Sequence, residues 1–281
     1  MSGRVEGKVA LITGGARSQG RSHAVRLAQE GADIVTLDLC GEIDSIRGYY
    51  PGATHEDLEE TVRLVEAEGR RIIARKADVR DLDQIEQVVK EGVEAFGGID
   101  IVSANAGIFA FGQQTHLADR QEWQDVLDVN LTGVWLTCKA VIPHMIEAGR
   151  GGSIILTSSS AGIKGTPNVA AYTASKHGVV GLMKTLSLEL GAHRIRVNSV
   201  HPSAVATPMI LNEATYRLFL PDVAHPTKED AAPVFQAALH SLPVPWVEAV
   251  DVSNALLFLA SDEARYVTGL QFTIDAGFCV K

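Results

Sequence analysis

The chain has 281 residues, 46% of them apolar, so it can bury a large core, and α/β chains of this size often form one domain. Its formal net charge of -9, with 25 lysines and arginines that form no basic run, argues against nucleic acid as a partner. Cys40, Cys138 and Cys279 lie far apart without CxxC spacing, so we expect neither disulfides nor a metal site, and a reducing cytoplasm. The first apolar run, Val9 to Ile12, is too short for a signal peptide, and no uninterrupted apolar stretch approaches the roughly 20 residues that span a membrane.

Short apolar segments alternate along the chain with longer segments of helical periodicity. The predicted strands are Lys8 to Thr13, Asp33 to Asp38, Ile72 to Lys76, Asp100 to Ser103, Ser153 to Ser158, Ile195 to Val200 and Leu270 to Ile274. The predicted helices are Ser22 to Glu30, Leu58 to Glu68, Leu82 to Phe96, Trp123 to Ile146, Ala171 to Leu190 and Val250 to Leu259. Such apolar strands, separated by helices, must be parallel and covered on both faces, which predicts a single doubly wound α/β domain of the Rossmann type with about seven parallel strands.

Two stretches interrupt this alternation, and both are interpreted as excursions from one domain that spans residues 1–281. The first, from Cys40 to Thr54, is an insertion. The second, from Ala204 to Val247, is a predicted substrate lid. Apolar residues in and near the lid favour a hydrophobic substrate, although they fit a core or a subunit contact equally well. They are Met209, Ile210, Leu211, Leu218, Phe219 and Leu220, with Phe109, Phe111 and Ile163 from outside the lid.

A turn rich in glycine follows the first predicted strand and leads into the first helix. It reads Thr13-Gly14-Gly15-Ala16-Arg17-Ser18-Gln19-Gly20. Backbone N–H groups and the helix dipole attract an anion there, and Gly14 and Gly20, which lack a Cβ, let the backbone approach it closely. The turn is therefore a candidate cradle for a pyrophosphate, although an ordinary strand-to-helix turn has the same pattern.

The second strand ends at Asp38, 18 residues beyond Gly20, where a carboxylate can accept hydrogen bonds from the ribose of an adenosine. The same carboxylate repels the 2′-phosphate of NADP, whereas Arg17 attracts it. Because the contact of Asp38 is direct and a long arginine side chain can swing into solvent at little cost, the sequence predicts NAD. Asp78-Val79 after the third strand and Asn105-Ala106-Gly107 after the fourth agree with a cofactor at this edge, although each is also common in turns.

Tyr172 and Lys176 are four residues apart at the start of a predicted helix, so their side chains project from one face. Hydride transfer to or from a carbon that bears oxygen requires a group that gains and loses a proton. A tyrosine can serve if its pKa, ordinarily about 10, is lowered, and we expect the ammonium of Lys176 to lower it.

Two further polar residues can complete this group. Ser159, at the end of the fifth predicted strand, can hold the substrate oxygen, and the amide of Asn130 can hold a water that links Lys176 to solvent. Taken singly, the four residues also fit a surface tyrosine, a solvated lysine, a strand-end serine and an asparagine that caps or kinks its helix.

Taken together, these motifs resemble the short-chain dehydrogenase/reductase family from about Gly7 to Gly277. The resemblance implies an NAD-dependent oxidoreductase, a homotetramer, with Tyr172 as general acid/base and Lys176 as its partner. It also implies that Ser159 is the ligand of the substrate oxygen and Asn130 the relay residue. The implied cofactor site comprises Gly14, Arg17, Ser18, Gln19, Gly20, Asp38, Leu39, Asp78, Val79, Asn105, Ala106, Gly107, Tyr172, Lys176, Pro202, Val205 and Thr207.

The sequence departs from the family pattern at two places. Ser18 stands where the middle glycine usually lies, so its side chain either crowds the pyrophosphate or donates a hydroxyl to it. Pro202-Ser203 replaces the usual Pro-Gly and should stiffen the turn that leads to the lid.

A narrower resemblance rests on Gln19-Gly20-Arg21-Ser22-His23-Ala24 and on the insertion. Together they are similar to the carveol-dehydrogenase-like, mycofactocin-associated branch of the family in actinobacteria. That branch implies a terpene-like or cyclic secondary alcohol, an NAD that is held under the insertion without release, and an external electron acceptor. The alternative is a surface loop beside a freely exchanging cofactor.

Three other functions share part of the pattern. A non-catalytic regulator that senses nucleotides would keep the fold but lack Tyr172 or Lys176, and both are present. A methyltransferase of the Rossmann type would lack the Tyr-x-x-x-Lys pair, and the absorbance or mass of its cofactor would separate it. Reductases of carbon–carbon double bonds usually space the tyrosine and lysine more widely.

Overall fold

The computed structural model describes residues 3–110 and 113–281. Within them, seven parallel strands form one sheet in the order β3-β2-β1-β4-β5-β6-β7. The strands are β1 Val9–Thr13, β2 Asp33–Asp38, β3 Ile72–Lys76, β4 Ile101–Ala104, β5 Gly152–Thr157, β6 Ile195–Pro202 and β7 Gln271–Ile274. The strand order reverses between β1 and β4, and doubly wound sheets bind ligands in the crevice beyond the carboxyl ends of the strands at such a point.

Helices cover both faces of this sheet. They are α1 Ser18–Gln29, α2 His55–Ala67, α3 Leu82–Phe96, α4 Arg120–Leu127, α5 Gly133–Ala148, α6 Ala170–Glu189, α7 Glu213–Phe219, α8 Lys228–Leu239 and α9 Ala249–Ala260. Alternate residues of β1 enter opposite cores, because successive side chains of a strand point to opposite faces. Val9 and Leu11 pack in the cluster that includes α3, α5 and α6, whereas Ala10 and Ile12 pack in the cluster that includes α1 and α9. The predicted doubly wound domain is confirmed.

The predicted long helix from Trp123 to Ile146 is wrong in one respect, because a π-helical turn, Asp128–Thr132, separates α4 from α5. Single π turns inside helices often occur at functional sites, and this one contains Asn130. The helix α1 also begins four residues earlier than predicted, so Ser18, Gln19 and Gly20 lie in its first turn.

The helical stretch Arg120–Ala148 is long and apolar enough to cross a membrane by length and composition. The search of the sequence for uninterrupted apolar residues did not indicate this stretch. More than half of its apolar window, 56%, is buried inside the protein. Val126, Val134, Val141 and Met145 of this stretch belong to the main core cluster, so it packs as a core helix.

The insertion, residues 40–54, is packed against the domain. Ile43, Ile46 and Tyr50 are buried, with a short 3₁₀ helix, Asp44–Ile46, between them. The Ser45 hydroxyl donates to the Asp125 carboxylate of α4 at 2.6 Å. Tyr49 donates to Glu122 of α4 at 3.2 Å. The insertion is therefore anchored by apolar contacts and by hydrogen bonds, and it is not a loose surface loop.

The predicted lid contains α7 and α8, which share a small core around Phe235. Ile210, Leu211, Phe219 and Leu220 pack into this core, so for these four the alternative interpretation as core residues is correct. Leu218 and Ile163 are exposed, and Phe111 lies outside the described residues. Met209 alone of the six lid residues lines the large cavity described below.

Ser203 connects the lid to the sheet, which explains one departure from the family pattern. Its hydroxyl lies 2.8 Å from Nε2 of His240, whose Nδ1 lies 2.8 Å from the carbonyl oxygen of Val244. A carbonyl only accepts, so Nδ1 carries the proton and Nε2 accepts from Ser203. Ser203 thereby fixes the end of α8 to the end of β6.

Candidate active site

A cavity lies beyond the carboxyl ends of the strands at the point where their order reverses. Thirteen of the seventeen predicted cofactor residues line it: Gly14, Arg17, Ser18, Gln19, Gly20, Asp38, Leu39, Asp78, Val79, Asn105, Ala106, Gly107 and Thr207. The insertion adds further walls, which are Gly41, Glu42, Ile43, Ile46, Tyr50, Gly52 and Ala53. The sequence therefore predicted most of the lining residues in the glycine turn and at the strand ends. For the insertion it predicted only that the segment covers the cofactor, without naming the residues that line the cavity.

The glycine turn is compact enough to exclude side chains at two positions. A Cβ on Gly20 would lie 2.0 Å from the carbonyl oxygen of Gly14, and Gly14 itself has φ of +71°. A Cβ on Gly14 would also lie 2.9 Å from Cα of Ala106. These glycines are therefore required by the close packing of the turn on itself and on the loop after β4, in addition to any approach to an anion.

Ser18 occupies the place of the usual middle glycine and has a backbone conformation that favours glycine. Its φ is +55°, in the left-handed region that strains a residue with a Cβ by about 1–2 kcal/mol. Ser18 lines the cavity.

Gln19 indicates that the cavity is built for a polar ligand. Its Oε1 atom is buried and has no hydrogen-bond partner among the described residues. A buried polar atom without a partner costs about 1–3 kcal/mol, which a bound donor would recover. Together with the N-terminus of α1, this atom fits a nucleotide cofactor in the cavity.

The carboxylate of Asp38 is fixed at the end of β2. One oxygen accepts a hydrogen bond from the backbone N–H of Ala16 and the other from that of Cys40, each at 3.0 Å. A carboxylate oxygen can accept about two hydrogen bonds, so both retain capacity for ribose hydroxyls. The predicted role of Asp38 is geometrically sound.

Arg17 does not swing into solvent as expected. Its Nη2 donates to the carbonyl oxygen of Pro51 in the insertion. The arginine therefore connects the glycine turn to the insertion across one end of the cavity, and an exposed, freely moving side chain is the wrong description of it.

Four predicted cofactor residues lie outside the lining of the cavity: Tyr172, Lys176, Pro202 and Val205. The side chain of Val205 packs in the core with α9, so it offers no side-chain contact to a ligand. Tyr172 and Lys176 lie just beyond the cavity wall, because a Cβ on Gly107, which lines it, would be 3.6 Å from Nζ of Lys176.

Lys176 belongs to α6, and its buried side chain reaches the end of β5. Its Nζ donates to the carbonyl oxygen of Thr157 at 2.8 Å and lies 5.4 Å from the centroid of the Tyr172 ring. Burial lowers the pKa of Lys176 to about 8. The side chain thus keeps most of its ammonium form at neutral pH and loses it as the pH rises through about 8.

The expected lowering of the Tyr172 pKa by Lys176 is wrong for the chain alone. Burial raises the pKa of Tyr172, and a hydrogen bond with the Ser159 hydroxyl lowers it only in part. Ser159 also accepts from the N–H of Ala161 at 3.1 Å, so its hydroxyl oxygen is held beside the phenol. Ser159 and Tyr172 are thereby brought together as predicted.

The side chain of Asn130 is engaged by the loop after β4. Its Nδ2 donates to the carbonyl oxygen of Ile108, and its Oδ1 accepts from the N–H of Ile108, both at 2.8 Å. Nδ2 also lies 3.5 Å from the Ser175 hydroxyl. The amide thus holds this loop in place, and the predicted amide–water relay stays a prediction.

His201 is a neighbour of the site that the sequence did not reveal. It is fully buried, its Nδ1 donates to the carbonyl oxygen of Ser159 at 2.8 Å, and its Nε2 accepts from Ser199 at 2.7 Å. Burial lowers the pKa of His201 to about 4, so the ring is neutral at physiological pH. No sequence pattern marks His201, because its role depends on a contact between β6 and the end of β5.

The segment from Arg21 to His23 has a structural role in this turn. Arg21 donates to the carbonyl oxygen of Ala16 at 2.6 Å and to that of Asp57 at 2.7 Å, which fixes α2 against the glycine turn. His23 and Ser22 contact the hydroxyl of Ser253 at 2.8 and 2.7 Å, which fixes α9 against α1. These residues set the position of the cofactor wall without lining it.

Comparisons with known proteins agree with this geometry. Residues 8–216 match the model of the family described as short chain dehydrogenase. The chain is similar to a carveol dehydrogenase from Mycobacterium avium solved in complex with NAD, with a TM-score of 0.97, 54% identity, and coverage of 99% of this chain and 100% of that one. It is 52% identical to a (-)-trans-carveol dehydrogenase of Rhodococcus erythropolis over 99% of both chains. It is 41% identical to a 3-alpha-(or 20-beta)-hydroxysteroid dehydrogenase of Mycobacterium tuberculosis over 99% of this chain and 91% of that one.

Proposed function

This chain belongs to the short chain dehydrogenase family and is an NAD-dependent oxidoreductase, and we propose that it interconverts a hydrophobic cyclic or terpene-like secondary alcohol with its ketone. The observation that carries the proposal is the meeting of Tyr172, Ser159 and Lys176 beside a cavity that is lined by the glycine turn and Asp38. Tyr172 and Lys176 are both present and lie close together, which argues against a regulator that lacks catalytic activity.

The residues that would hold the cofactor follow from the cavity. The turn from Gly14 to Gly20 and the N-terminus of α1 would hold the pyrophosphate, Asp38 the adenosine ribose, and Lys176 the second ribose. When bound, NAD supplies the acceptor for the hydride that leaves the alcohol carbon.

The chain's own residues handle the proton. Ser159 would hold the substrate oxygen, and Tyr172, hydrogen-bonded to Ser159, would take the hydroxyl proton during oxidation and return it during reduction. In the chain alone, burial and the Ser159 hydrogen bond determine the pKa shift of Tyr172, so the part proposed for Lys176 is to hold the second ribose beside the phenol. His201 fixes the backbone of Ser159, so that its hydroxyl stays beside the phenol.

Apolar side chains near Tyr172 support a hydrophobic substrate. The Phe109 ring packs edge-on against Tyr172, with ring centroids 4.7 Å apart, and Met209 and Tyr50 line the adjoining part of the cavity. The names of the relatives, carveol and hydroxysteroid dehydrogenases, describe alcohols on apolar rings.

The insertion supports slow exchange of the cofactor. Gly41, Glu42, Gly52 and Ala53 line the cavity beside Asp38, and Arg17 closes the gap between insertion and turn. Slow release would require a second electron carrier to reoxidise the bound nucleotide, as in the mycofactocin-associated branch. The habits of the family further favour a cytoplasmic homotetramer, and exposed Trp135 and Leu188 offer apolar surface for subunit contacts.

The test is a substrate panel with purified protein. It contains cyclic terpenoid alcohols, hydroxysteroids, polyols and 2-hydroxy acids, each with free NAD alone and with a redox dye added. We expect turnover of the cyclic alcohols, with the dye increasing the rate. Highest turnover with a polyol or a hydroxy acid would overturn the substrate class, and tight nucleotide binding without turnover of any alcohol would favour the regulator.

A further inference from the structure

Tyr50 connects the insertion to the proposed acid/base. Its side chain is buried, with 7% exposed, although it belongs to a segment that lies outside the regular strand and helix alternation. Its hydroxyl oxygen accepts a hydrogen bond from the backbone N–H of Phe109 at 2.9 Å. The Phe109 ring meets the Tyr172 ring edge-on at an interplanar angle of 76°. Two direct contacts therefore lead from the insertion to the phenol.

The loop that carries Phe109 is held by three different parts of the chain. Thr13 of β1 accepts from the N–H groups of Asn105 and Ala106 at 3.0 and 3.1 Å. Asn130 holds both the N–H and the carbonyl of Ile108, as described above. Tyr50 holds Phe109, the residue of this loop whose ring touches Tyr172. Within the part of the chain that the structure describes, the insertion thus supplies an anchor for the residue whose ring touches the phenol.

The chemistry of Tyr50 itself is limited to this hydrogen bond. Burial raises the pKa of Tyr50 well above its ordinary value, outweighing the hydrogen bond from Phe109 and the nearby charge of Arg17, so the phenol stays neutral. A neutral phenol whose oxygen accepts a backbone N–H neither competes with Tyr172 for a proton nor changes the charge of the site. The contacts of Tyr50 with the Phe109 loop therefore point to a geometric effect on the reaction.

We propose that Tyr50 is a positioning residue for Tyr172, acting through the backbone and ring of Phe109. This inference rests on the proposed role of Tyr172. It gives the insertion a second task, because the segment that lines the cofactor cavity also fixes the group that transfers the proton. Loss of the Tyr50 hydroxyl should slow the chemical step while leaving the nucleotide in place.

The size of the effect follows from the precision that proton transfer needs. The acid/base must lie within hydrogen-bond reach of the substrate oxygen, and a misplacement of about 1 Å can lower a rate about 100-fold. Tyr50→Phe removes one neutral hydrogen bond to the backbone of Phe109, and Phe109 in turn contacts Tyr172 through its ring. The phenol should therefore move by less than the displacement given above. We therefore expect a fall of about tenfold in the rate of hydride transfer.

The experiment compares Tyr50→Phe with Tyr49→Phe in the full-length, nucleotide-loaded protein. The second variant is a matched control, because Tyr49 is its sequence neighbour in the insertion and hydrogen-bonds to Glu122 on α4, outside the cavity. Single-turnover reduction of the bound nucleotide by a saturating alcohol gives the chemical rate, and its concentration dependence gives the substrate affinity. Hydrogen exchange gives the opening of the Phe109 amide.

We expect Tyr50→Phe to lower the single-turnover rate about tenfold, to change the substrate affinity by less than about twofold, and to accelerate exchange of the Phe109 amide. Tyr49→Phe should stay within about twofold of the wild type in all three readouts. A wild-type rate in Tyr50→Phe, or an equal fall in Tyr49→Phe, would overturn the proposal, since the second result would indicate a general loosening of the insertion.

A second variant, Phe109→Leu, interrupts the same connection from the other side. It should lower the single-turnover rate by itself, and Tyr50→Phe should then add little, because residues that act in one chain of contacts are not additive. Fully additive effects would contradict the proposal. If Tyr50→Phe folds poorly, a wild-type single-turnover rate in Phe109→Leu alone would contradict it. Unaltered turnover in Tyr172→Phe would instead refute the acid/base role itself, so the two failures are distinguishable.

Discussion

Arg17 in the glycine turn and Pro51 in the insertion are joined by a hydrogen bond from the guanidinium to the backbone carbonyl. Ser18 and Gln19 line the cavity on the side of the turn, and Gly52 and Ala53 line it on the side of the insertion. The bond therefore joins two segments that line the same cavity. We expect a nucleotide that leaves between them to require their separation.

The first prediction is that Arg17→Ala accelerates exchange of bound NAD. Release through a closed loop is limited by opening of that loop, and one broken hydrogen bond to a charged group, worth about 1.5–3 kcal/mol, should raise the exchange rate at least about tenfold. Protein loaded with NAD is mixed with isotopically labelled NAD, desalted at intervals, and analysed by native mass spectrometry.

The control for this experiment is Arg47→Ala. Arg47 lies in the same insertion, is mostly exposed, and pairs only with Asp44 among the ion pairs found in the described residues. We expect it to exchange like the wild type, over minutes to hours. Complete exchange within seconds in the wild type itself, with brisk turnover on free NAD, would refute the retained cofactor and leave the dehydrogenase activity intact.

Replacing Asp38 should change the choice of cofactor. Asp38→Ala removes a charged acceptor for the ribose and the support of the Ala16 and Cys40 N–H groups, so NAD should bind about tenfold to 100-fold more weakly. The preference for NAD over NADP should become smaller, because the Asp38 carboxylate no longer repels the 2′-phosphate. Dissociation constants for both nucleotides test this, with Asp44→Ala as the matched acidic control. Wild-type protein that already prefers NADP would show that Arg17 outweighs Asp38.

The free energy of unfolding should depend on pH in the way expected of a buried histidine, His23. Burial lowers the pKa of His23 to about 3, whereas the unfolded chain takes up a proton near pH 6.5. Below about pH 6.5 the unfolded state binds more protons than the native state, so the free energy of unfolding falls as the pH falls. For this one group the loss should reach about 2 kcal/mol by about pH 5.

Urea unfolding of His23→Gln isolates this contribution. The variant should be less stable than the wild type near pH 7, because the contact with Ser253 is altered, but it should lose less stability on acidification. His193→Gln, at an exposed position, should show the wild-type slope. A slope in His23→Gln that equals the wild-type slope would mean that His23 is protonated in the native state.

Much of the fold and site was accessible from the sequence. The alternation of short apolar segments with helical segments located β2 and β3 with their observed bounds, although β3 is a partly exposed edge strand. The glycine turn, Asp38 and the Tyr172–Lys176 pair have fixed spacing along the chain, and these local motifs came together as predicted. The predicted family, dehydrogenase activity and NAD cofactor are confirmed by the relatives.

What the sequence missed depends on contacts between distant segments. Arg17 meets Pro51, Tyr50 meets Phe109, and His201 meets Ser159, and none of these pairs has a periodic or spaced pattern. The π turn at Asn130 is hidden for the same reason, because its amide is directed by the backbone of Ile108. Motif spacing identified the candidate reactive groups, whereas the residues that support them became visible only in three dimensions.

The most direct test of the account is the turnover of Tyr172→Phe. This change removes the oxygen that transfers the proton and keeps the ring that packs against Phe109, so turnover with the best cyclic alcohol should fall by at least about 100-fold while NAD binding is retained. Tyr266→Phe, at a position that is 89% exposed, is the control and should match the wild type. Turnover of Tyr172→Phe near the wild-type rate would contradict the assignment of Tyr172 as the general acid/base.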